Sequence, residues 1–177
     1  MADLTLIRVG HHNLSVLDRL MQLYLYDFSE MLCDEPEGRL DEAGRYDPGF
    51  PLARYADGQA HGARYEGWLA RAAGQWAGFS LFSDRVDATH HAGPGHNVDE
   101  FFVIRCFRRQ GTGSELARRT FDAYRGTWQI TQIGSNTGAI AFWQSAVAAY
   151  TGGRFRSFET QEHGQTLHWH TFDSSGW

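Results

Sequence analysis

Lysine is absent from this chain of 177 residues, so all 16 of its basic side chains are arginines. A compositional bias of the source genome explains that absence, and avoidance of self-modification at lysine is the alternative. Cysteine is scarce, and Cys33 and Cys106 are too few for a disulfide framework. No apolar run reaches the length of a membrane span, and no secretory segment follows Met1. We therefore expect a cytoplasmic protein with reduced thiols and no membrane partner.

The net charge of −5 argues against a general nucleic-acid binder. The length suits one domain with a sizeable core, and we predict a single domain over residues 1–177. Charge is unevenly spread. An acidic segment, Asp27–Asp47, holds eight acids against two arginines, and a basic segment, Arg105–Arg125, holds six arginines against two acids. Two solvated faces of an ordinary surface are the alternative explanation.

A glycine-rich turn is the most informative stretch of the sequence. The apolar run Phe101–Ile104 precedes residues 108–114 (RRQGTGS), and the amphipathic pattern Glu115–Tyr124 follows them. That order predicts a strand, a glycine turn and a helix, whose first N–H groups converge at the positive end of the helix dipole. Gly111 and Gly113 permit backbone conformations that a β-carbon would block. This glycine loop therefore predicts a site for the pyrophosphate of a large anionic cofactor.

Hydrophobic periodicity predicts a mixed α/β chain around this loop. The segment Cys33–His61 is rich in turn residues, and we expect it to be functional, partly helical, or both. The predicted helices run from Asn13 or Ser15 to about Phe28, over Glu115–Tyr124, and from Thr137 to about Tyr150. The predicted strands are Thr5–Val9, Gly67–Ala72, Gln75–Ser83, Asp99–Cys106, Trp128–Ile133, Arg154–Phe158 and Thr166–Phe172.

Histidines occur in two groups that raise the question of a metal site. His90, His91 and His96 share one polar loop, while His168 and His170 alternate on the last predicted strand and so share a face. Neither a matching set of cysteines nor an HExxH helix accompanies them, so we predict no metal centre. Exposed polar alternation is the simpler interpretation of the second group.

The order of elements and two motifs resemble the GNAT superfamily of N-acetyltransferases. The signature Arg/Gln-x-x-Gly-x-Gly/Ala, between the fourth strand and the third helix, fits Arg108–Gly113 at every defined position. The second motif, Asn-x-x-Ala-x-x-Phe-Tyr, fits Asn136, Ala139 and Phe142, but Trp143 replaces its tyrosine. A nucleotide-binding protein of another fold is disfavoured, because the loop lacks the ending of a P-loop and the third glycine of a dinucleotide fingerprint.

This resemblance covers Gly67–Phe158 well and implies a single-domain α/β (α+β) fold. It implies a mixed central sheet of six to seven strands, helices on both faces, and a splay between the fourth and fifth strands. Acetyl-CoA is the implied co-substrate. Backbone groups of Phe101, Phe102 and Val103 would pair with its pantetheine arm, which Asn136 would also contact. The residues implied at its pyrophosphate are Arg108, Arg109, Gln110, Gly111, Thr112, Gly113 and Ser114.

The implied reaction moves an acetyl group to a primary amine, which must lose a proton. Glu100 is the candidate base, and a strand-end surface carboxylate is the alternative interpretation. The backbone N–H of Val103 would polarise the thioester carbonyl. An indole N–H cannot act as an acid, so Trp143 would pack against the cofactor or the next helix. Tyr150, about two turns further along the helix, or solvent would then protonate the thiolate.

Acceptors in this superfamily usually contact the early helical region and loops around the sheet, here Tyr24–Tyr46 and Asp84–Val98. We hypothesise that the acidic segment attracts a cationic amine, such as a polyamine, an aminoglycoside-like compound, an amino-acid derivative or a protein amino terminus. A CoA-binding sensor or interaction module without catalysis is the alternative function, because Trp143 replaces the motif tyrosine. The resemblance also leaves a homodimer open.

Overall fold

A mixed sheet with helices on both faces forms the body of the molecule. The computed structural model describes residues 3–33, 35–89, 94–162 and 164–177. The helices in this part of the chain are α1 (Leu14–Ser29), α2 (Ala53–Asp57), α3 (Thr112–Ala123) and α4 (Thr137–Thr151). The strands are β1 (Leu4–Arg8), β2 (Gln59–Ala60), β3 (Ala63–Ala72), β4 (Gln75–Ser83), β5 (Gly95–Val103), β6 (Thr127–Ile133), β7 (Arg156–Glu162) and β8 (Gln165–Asp173).

The strand order is β1-β3-β4-β5-β6-β8-β7, and the short β2 pairs with β3 outside this path. Among the described residues every pairing is antiparallel except that of β5 with β6. A parallel pair needs a long crossover, which α3 supplies by connecting those two strands. The predicted mixed sheet is therefore confirmed, with seven strands on its main path.

The two faces of the sheet carry separate cores. We call the face covered by α1 and α2 the α1 face, and the face covered by α3 and α4 the α4 face. Leu17, Leu20 and Met21 recur at helical spacing and are buried against the α1 face. Phe121 of α3 and Trp143 of α4 are buried on the α4 face. The predicted helices on both faces are therefore confirmed.

β5 and β6 separate partway along their length. Their register runs from Gly95 opposite Thr127 only to Val98 opposite Ile130. Beyond that pair β5 remains bonded to β4, and β6 remains bonded to β8, so the facing edges of β5 and β6 diverge. These are the fourth and fifth strands when the short β2 is left out of the count. The predicted splay is therefore confirmed.

The bounds of β5 differ from the predicted strand Asp99–Cys106. β5 begins at Gly95 and ends at Val103, and a 3-10 turn, Arg105–Phe107, leads into the glycine loop. The first four residues of β5 are extended because they pair with β6. This stretch carries polar side chains, so its sequence does not show the hydrophobic pattern by which strands are predicted. The sequence prediction therefore placed the strand too late.

A β-bulge places two consecutive carboxylates of β5 on the same face. Leu81 of β4 pairs with Glu100, but the next residue, Phe82, pairs with Val98, so Asp99 is the extra residue. A bulge of this kind interrupts the alternation of side chains along a strand. Both carboxylates accept hydrogen bonds from tyrosines of α1 and α2, so both lie on the α1 face.

His170 of β8 is buried on the α4 face although its side chain can carry a charge. The residue is 1% exposed, and neither ring nitrogen has a hydrogen-bond partner among the described residues. Burial lowers the pKa of the imidazole to about 4, and the neighbouring His168 has a smaller effect in the same direction. Exposed polar alternation is therefore wrong for His170, which is neutral in the folded protein near neutral pH.

The neutral His170 should make stability sensitive to acid. The ordinary pKa of 6.5 returns on unfolding. The unfolded chain thus binds a proton first, and stability is lost as the pH falls from about 6.5 to about 4. Between about pH 7.5 and pH 4.5, the free energy of unfolding in urea should fall by roughly 2 kcal/mol more in the wild type than in His170→Leu. His61→Gln, at an exposed position, should behave like the wild type. Equal acid sensitivity of His170→Leu and wild type would contradict this assignment.

Candidate active site

The glycine loop has the geometry of an anion site. Arg109 and Gly111 have positive φ angles of 59° and 82°, and α3 begins directly after them at Thr112. The first N–H groups of a helix have no partner within it, so those of Thr112, Gly113 and Ser114 can bind a ligand. A β-carbon on Gly111 would meet no atom within 4 Å, so the approach to the backbone is open. These features fit a pyrophosphate.

Gly113 allows α3 and α4 to pack closely against each other. It lies in the first turn of α3, and a β-carbon there would come within 3.1 Å of the Phe142 ring of α4. Phe142 in turn stacks on Phe101 of β5, with ring centroids 5.6 Å apart. The second glycine of the motif therefore lets the start of α3 approach α4 and the strand that leads into the loop.

Arg108 braces the loop through contacts with β5 and α1. Its Nε atom donates to the carbonyl of Val103 at 2.6 Å, and its guanidinium also pairs with Asp27 of α1. Arg105 reaches the same carboxylate at 2.7 Å, so the acidic and basic segments meet here. Gln110 donates its side-chain amide to a backbone carbonyl of the preceding turn at 2.7 Å. These side chains hold the shape of the loop, and their contact with a cofactor stays a prediction.

The open edge of β5 presents hydrogen-bonding groups to the splay. Ile104 donates its N–H to Ala77 of β4 at 2.8 Å. N–H groups alternate in direction along a strand, so those of Phe101 and Val103 point away from β4 and into the splay. The side chain of Phe102 is buried in the α1-face core. The backbone edge can therefore pair with an extended ligand while Phe102 anchors the strand.

Trp143 lies in the core, and Asn136 caps α4. Trp143 is 4% exposed, and its rings contact Phe101 at 4.8 Å and Phe142 at 5.0 Å. Packing is thus its observed role, and its contact with the cofactor stays a prediction. The Oδ1 atom of Asn136 accepts the N–H of Ala139 at 3.0 Å. This cap fixes the start of α4 next to the splay.

Tyr150 occupies the end of α4 opposite Asn136. Its hydroxyl hydrogen-bonds to Asp122 of α3 at 3.1 Å, and its ring packs against Phe172. Phe172 pairs with the start of β6, whereas the splay opens at the end of that strand. Burial raises the pKa of the Tyr150 phenol to about 12, which weakens it as an acid. The structure does not bring Tyr150 together with Glu100, so the geometry gives no support to its role as general acid.

Glu100 shares a short hydrogen bond with Tyr24. The Tyr24 phenol donates to Oε2 of Glu100 at 2.5 Å, and its ring packs against Phe28 at 4.8 Å. Burial is the main reason why the pKa of Glu100 rises to about 7, while the Tyr24 hydrogen bond lowers it and the charge of Asp99 raises it. Burial also raises the pKa of Tyr24 well above its ordinary value. A carboxyl group with this pKa suits a general base near neutral pH.

Asp99 is a site residue that the sequence prediction missed, and Tyr24, which it placed only in the acceptor region, is the partner of Glu100. Asp99 accepts hydrogen bonds from Tyr55, Ser83 and Asn97, each at 2.8 Å. Two consecutive acids at the entrance of a strand were a usable signal, but only the bulge shows that they share a face. The contact between Tyr24 and its carboxylate partner spans 76 residues, and no local pattern indicates it.

An open cleft of about 380 Å³ lies at the ends of β6 and β8. Glu35 and His168 are ionisable side chains in its lining, and His168 lies 3.2 Å from Glu159. Ile133 ends the strand that borders the splay, so the cleft opens beside the splay. The lining residues are Met31, Leu32, Glu35, Ile133, Gly134, Ser135, Gln165, Thr166 and His168. The segment Tyr24–Tyr46, which was predicted to contact the acceptor, thus contributes residues to this cleft.

The histidines of the polar loop show no metal site in the described structure. His90 and His91 lie outside the described residues. His96 belongs to β5 and packs at a tilt against Tyr124 and Trp128, and burial lowers the pKa of its imidazole. Within residues 3–33, 35–89, 94–162 and 164–177, no three histidine, cysteine or acidic side chains are grouped to hold a metal ion. None of the described helices has the length and apolar character needed to cross a membrane.

Comparisons with known proteins identify the family and the fold. The sequence profile of the acetyltransferase (GNAT) family matches residues 18–147. No curated protein matches the sequence significantly. The structure of yncA from Salmonella typhimurium, solved with acetyl-CoA, is 15% identical with a TM-score of 0.61, over 98% of this chain and 95% of that chain. The ribosomal-protein-S18-alanine N-acetyltransferase of Escherichia coli is 17% identical with a TM-score of 0.58, over 98% and 96%.

A third similar structure is NAA60 of Arabidopsis thaliana in complex with a bisubstrate analogue. It is 14% identical with a TM-score of 0.59, over 98% of this chain and 99% of that chain. At such identities these structures show the shared fold. The family profile covers most of the chain, including the glycine loop and the start of α4. The predicted family, fold and co-substrate, acetyl-CoA, are therefore confirmed: the chain belongs to the GNAT family of acetyltransferases.

Proposed function

We propose that this acetyltransferase acetylates a cationic amine that carries an apolar part, and that Glu100 is its general base. The observation that supports this most directly is the partly buried, hydrogen-bonded pair of Glu100 and Tyr24 beside the splay of β5 and β6. At the open end of the splay, the anion site follows β5 and the cleft lies at the end of β6. A cytoplasmic location is part of the same proposal.

The donor side is built from backbone groups. Acetyl-CoA, when bound, supplies an activated acetyl thioester. The first N–H groups of α3, from Thr112 to Ser114, would hold its pyrophosphate, and the edge Phe101–Val103 would align its pantetheine arm. The N–H of Val103 would donate to the carbonyl oxygen. Alignment of two substrates by such fixed groups supplies much of the rate in a transfer reaction.

Glu100 would take the proton that the amine must lose. Its pKa of about 7 leaves a large fraction of the carboxylate ionised near neutral pH. Tyr24 already donates to Oε2, so Oε1 is the proposed acceptor of the proton. Trp143 is buried and Tyr150 lies at the far end of α4, so solvent is the proposed proton source for the departing thiolate.

The cleft favours an acceptor with both charge and apolar surface. Met31, Leu32 and Ile133 provide apolar contacts, and Glu35 provides a carboxylate for a cation. Asp27, by contrast, pairs with two arginines and so contributes little attraction. The hypothesis that the whole acidic segment attracts the acceptor is thereby narrowed to its part near Glu35.

A CoA-binding sensor without catalysis is the second candidate. Burial of Trp143 favours it, because the tryptophan provides no acid at the place of the motif tyrosine. A measurement of the free thiol released from acetyl-CoA in the presence of a panel of amines distinguishes the enzyme from the sensor. The enzyme should release thiol with at least one cationic amine, and binding of acetyl-CoA without release for any amine would favour the sensor.

The glycine loop assignment predicts the effect of Gly111→Asp. The new carboxylate would lie at the anion site, so the affinity for coenzyme A should fall at least about tenfold by calorimetry. Gly44→Asp is the matched control, because Gly44 has a similar φ of 74° and equally open surroundings. The control should bind coenzyme A with normal affinity. Equal affinities of the two variants would refute the assignment of the glycine loop as the anion site. Gly113→Glu is less suitable, since it would also clash with Phe142.

The base assignment predicts three pH profiles. In the wild type kcat/KM should rise with pH through about 7, as Glu100 becomes ionised. Glu100→Gln should lose activity and this rise. Tyr24→Phe should keep the rise but move it to higher pH, because the lost hydrogen bond lowers the pKa of Glu100. Tyr46→Phe, which loses only a contact with Ser29 at 3.3 Å, is the control. If the pH profile of Tyr24→Phe matched that of the wild type, the proposed effect of Tyr24 on the pKa of Glu100 would be wrong.

The acceptor assignment predicts a charge-selective effect of Glu35→Gln. For a cationic amine KM should rise roughly two- to fivefold, as expected for an exposed ion pair, whereas KM for a neutral-tailed amine should not change. Added salt should produce the same trend in the wild type. Glu42→Gln changes an exposed acid of the same segment outside the cleft and should have no effect. An equal response of both variants would contradict a specific role for Glu35.

A further inference from the structure

Gln132 of β6 has a buried side-chain amide for which the described residues provide no partner. The residue is 6% exposed, and neither Nε2 nor Oε1 has a hydrogen-bond partner among the described residues. Such an amide loses its bonds to water and gains none, and native proteins contain few of them. Gln129 on the same strand shows the usual arrangement, because its amide exchanges two hydrogen bonds with the backbone of Asp87.

Gln132 lies in the part of β6 that no longer pairs with β5. The pairing of these strands ends at Ile130, so the edge of β6 that faces β5 is open at Gln132. On its other side Gln132 pairs with His168 of β8, which lines the cleft. The unpartnered amide therefore belongs to the splay and not to the continuous part of the sheet.

The side chain of Gln132 is on the same face as the anion site. Gln132 alternates with Trp128 and Ile130, which are buried in the core of the α4 face. The glycine loop begins α3 on this face, and Gly113 lies against α4. A ligand with its pyrophosphate at the start of α3 and its tail in the splay would pass next to Gln132.

We infer that Gln132 is a positioning residue that hydrogen-bonds an amide of the pantetheine arm. This inference rests on the proposed function. A secondary amide offers one N–H donor and one carbonyl acceptor, and the side chain of Gln132 offers the complementary pair. The contact satisfies the atoms that the apo protein leaves unpaired. It also fixes how deeply the arm enters the splay, and thus where the thioester lies relative to Val103 and Glu100.

Gln132→Leu tests this role, because it removes the amide and keeps a side chain of similar size. The apo variant should melt at a higher temperature than the wild type, since a buried unsatisfied amide is gone. Its affinity for coenzyme A should fall about tenfold. Its affinity for the adenosine bisphosphate fragment of coenzyme A, which lacks the pantetheine arm, should not change. Calorimetry with both ligands and a thermal melt measure these quantities.

Gln129→Leu is the matched control. Its amide is satisfied by Asp87, so the variant should melt lower and bind coenzyme A normally. Unchanged affinity of Gln132→Leu for coenzyme A would overturn the inference, and so would an equal loss for both ligands, which would indicate damage to the loop. Gln132→Met gives the same test if the leucine variant does not fold. A wild type that fails to bind coenzyme A would instead refute the proposed function.

Discussion

The end of pairing between β5 and β6 is the constraint on which the rest of the site depends. From Val98 and Ile130 onward each strand has a bonded neighbour on one side only. Backbone groups in a protein interior require partners, so this opening is a place for a ligand that can pair like a strand. α3 and α4 both begin at this end, which adds an anion site and a capped helix start to the same opening.

α1 connects the donor and acceptor sides of the site. Tyr24 and Asp27 lie three residues apart on one helix face; Tyr24 holds the proposed base, and Asp27 holds the arginines next to the glycine loop. The chain that follows α1 then supplies Met31 and Leu32 to the cleft. A shift of this helix would therefore change the base, the loop and the acceptor surface together. The separation of acidic and basic segments in the sequence gives no hint of this contact.

Local features were predictable from the sequence, and contacts between distant segments were not. The glycine loop combines a strand end, a turn and a helix start within a few residues, so its geometry follows from local rules. The late start assigned to β5 arose because pairing with β6 keeps polar residues extended. The bulge at Asp99, the partner of Glu100 and the burial of His170 each depend on elements far away in the chain. Helical spacing alone makes Tyr150 a candidate, and such spacing carries no information about the direction of α4 relative to the splay.

The bulge also explains why Glu100, and not its neighbour, is suited to accept a proton. Three donors hold Asp99 in place: Tyr55 bonds to one carboxylate oxygen, and Ser83 and Asn97 bond to the other. Glu100 accepts one hydrogen bond among the described residues, which leaves burial as the main influence on its pKa. In the proposed reaction the two adjacent carboxyl groups would divide the work, Asp99 as an acceptor of structural hydrogen bonds and Glu100 as the base. The charge of Asp99 adds to this division, since it disfavours a second charge on Glu100 and so raises its pKa toward neutrality.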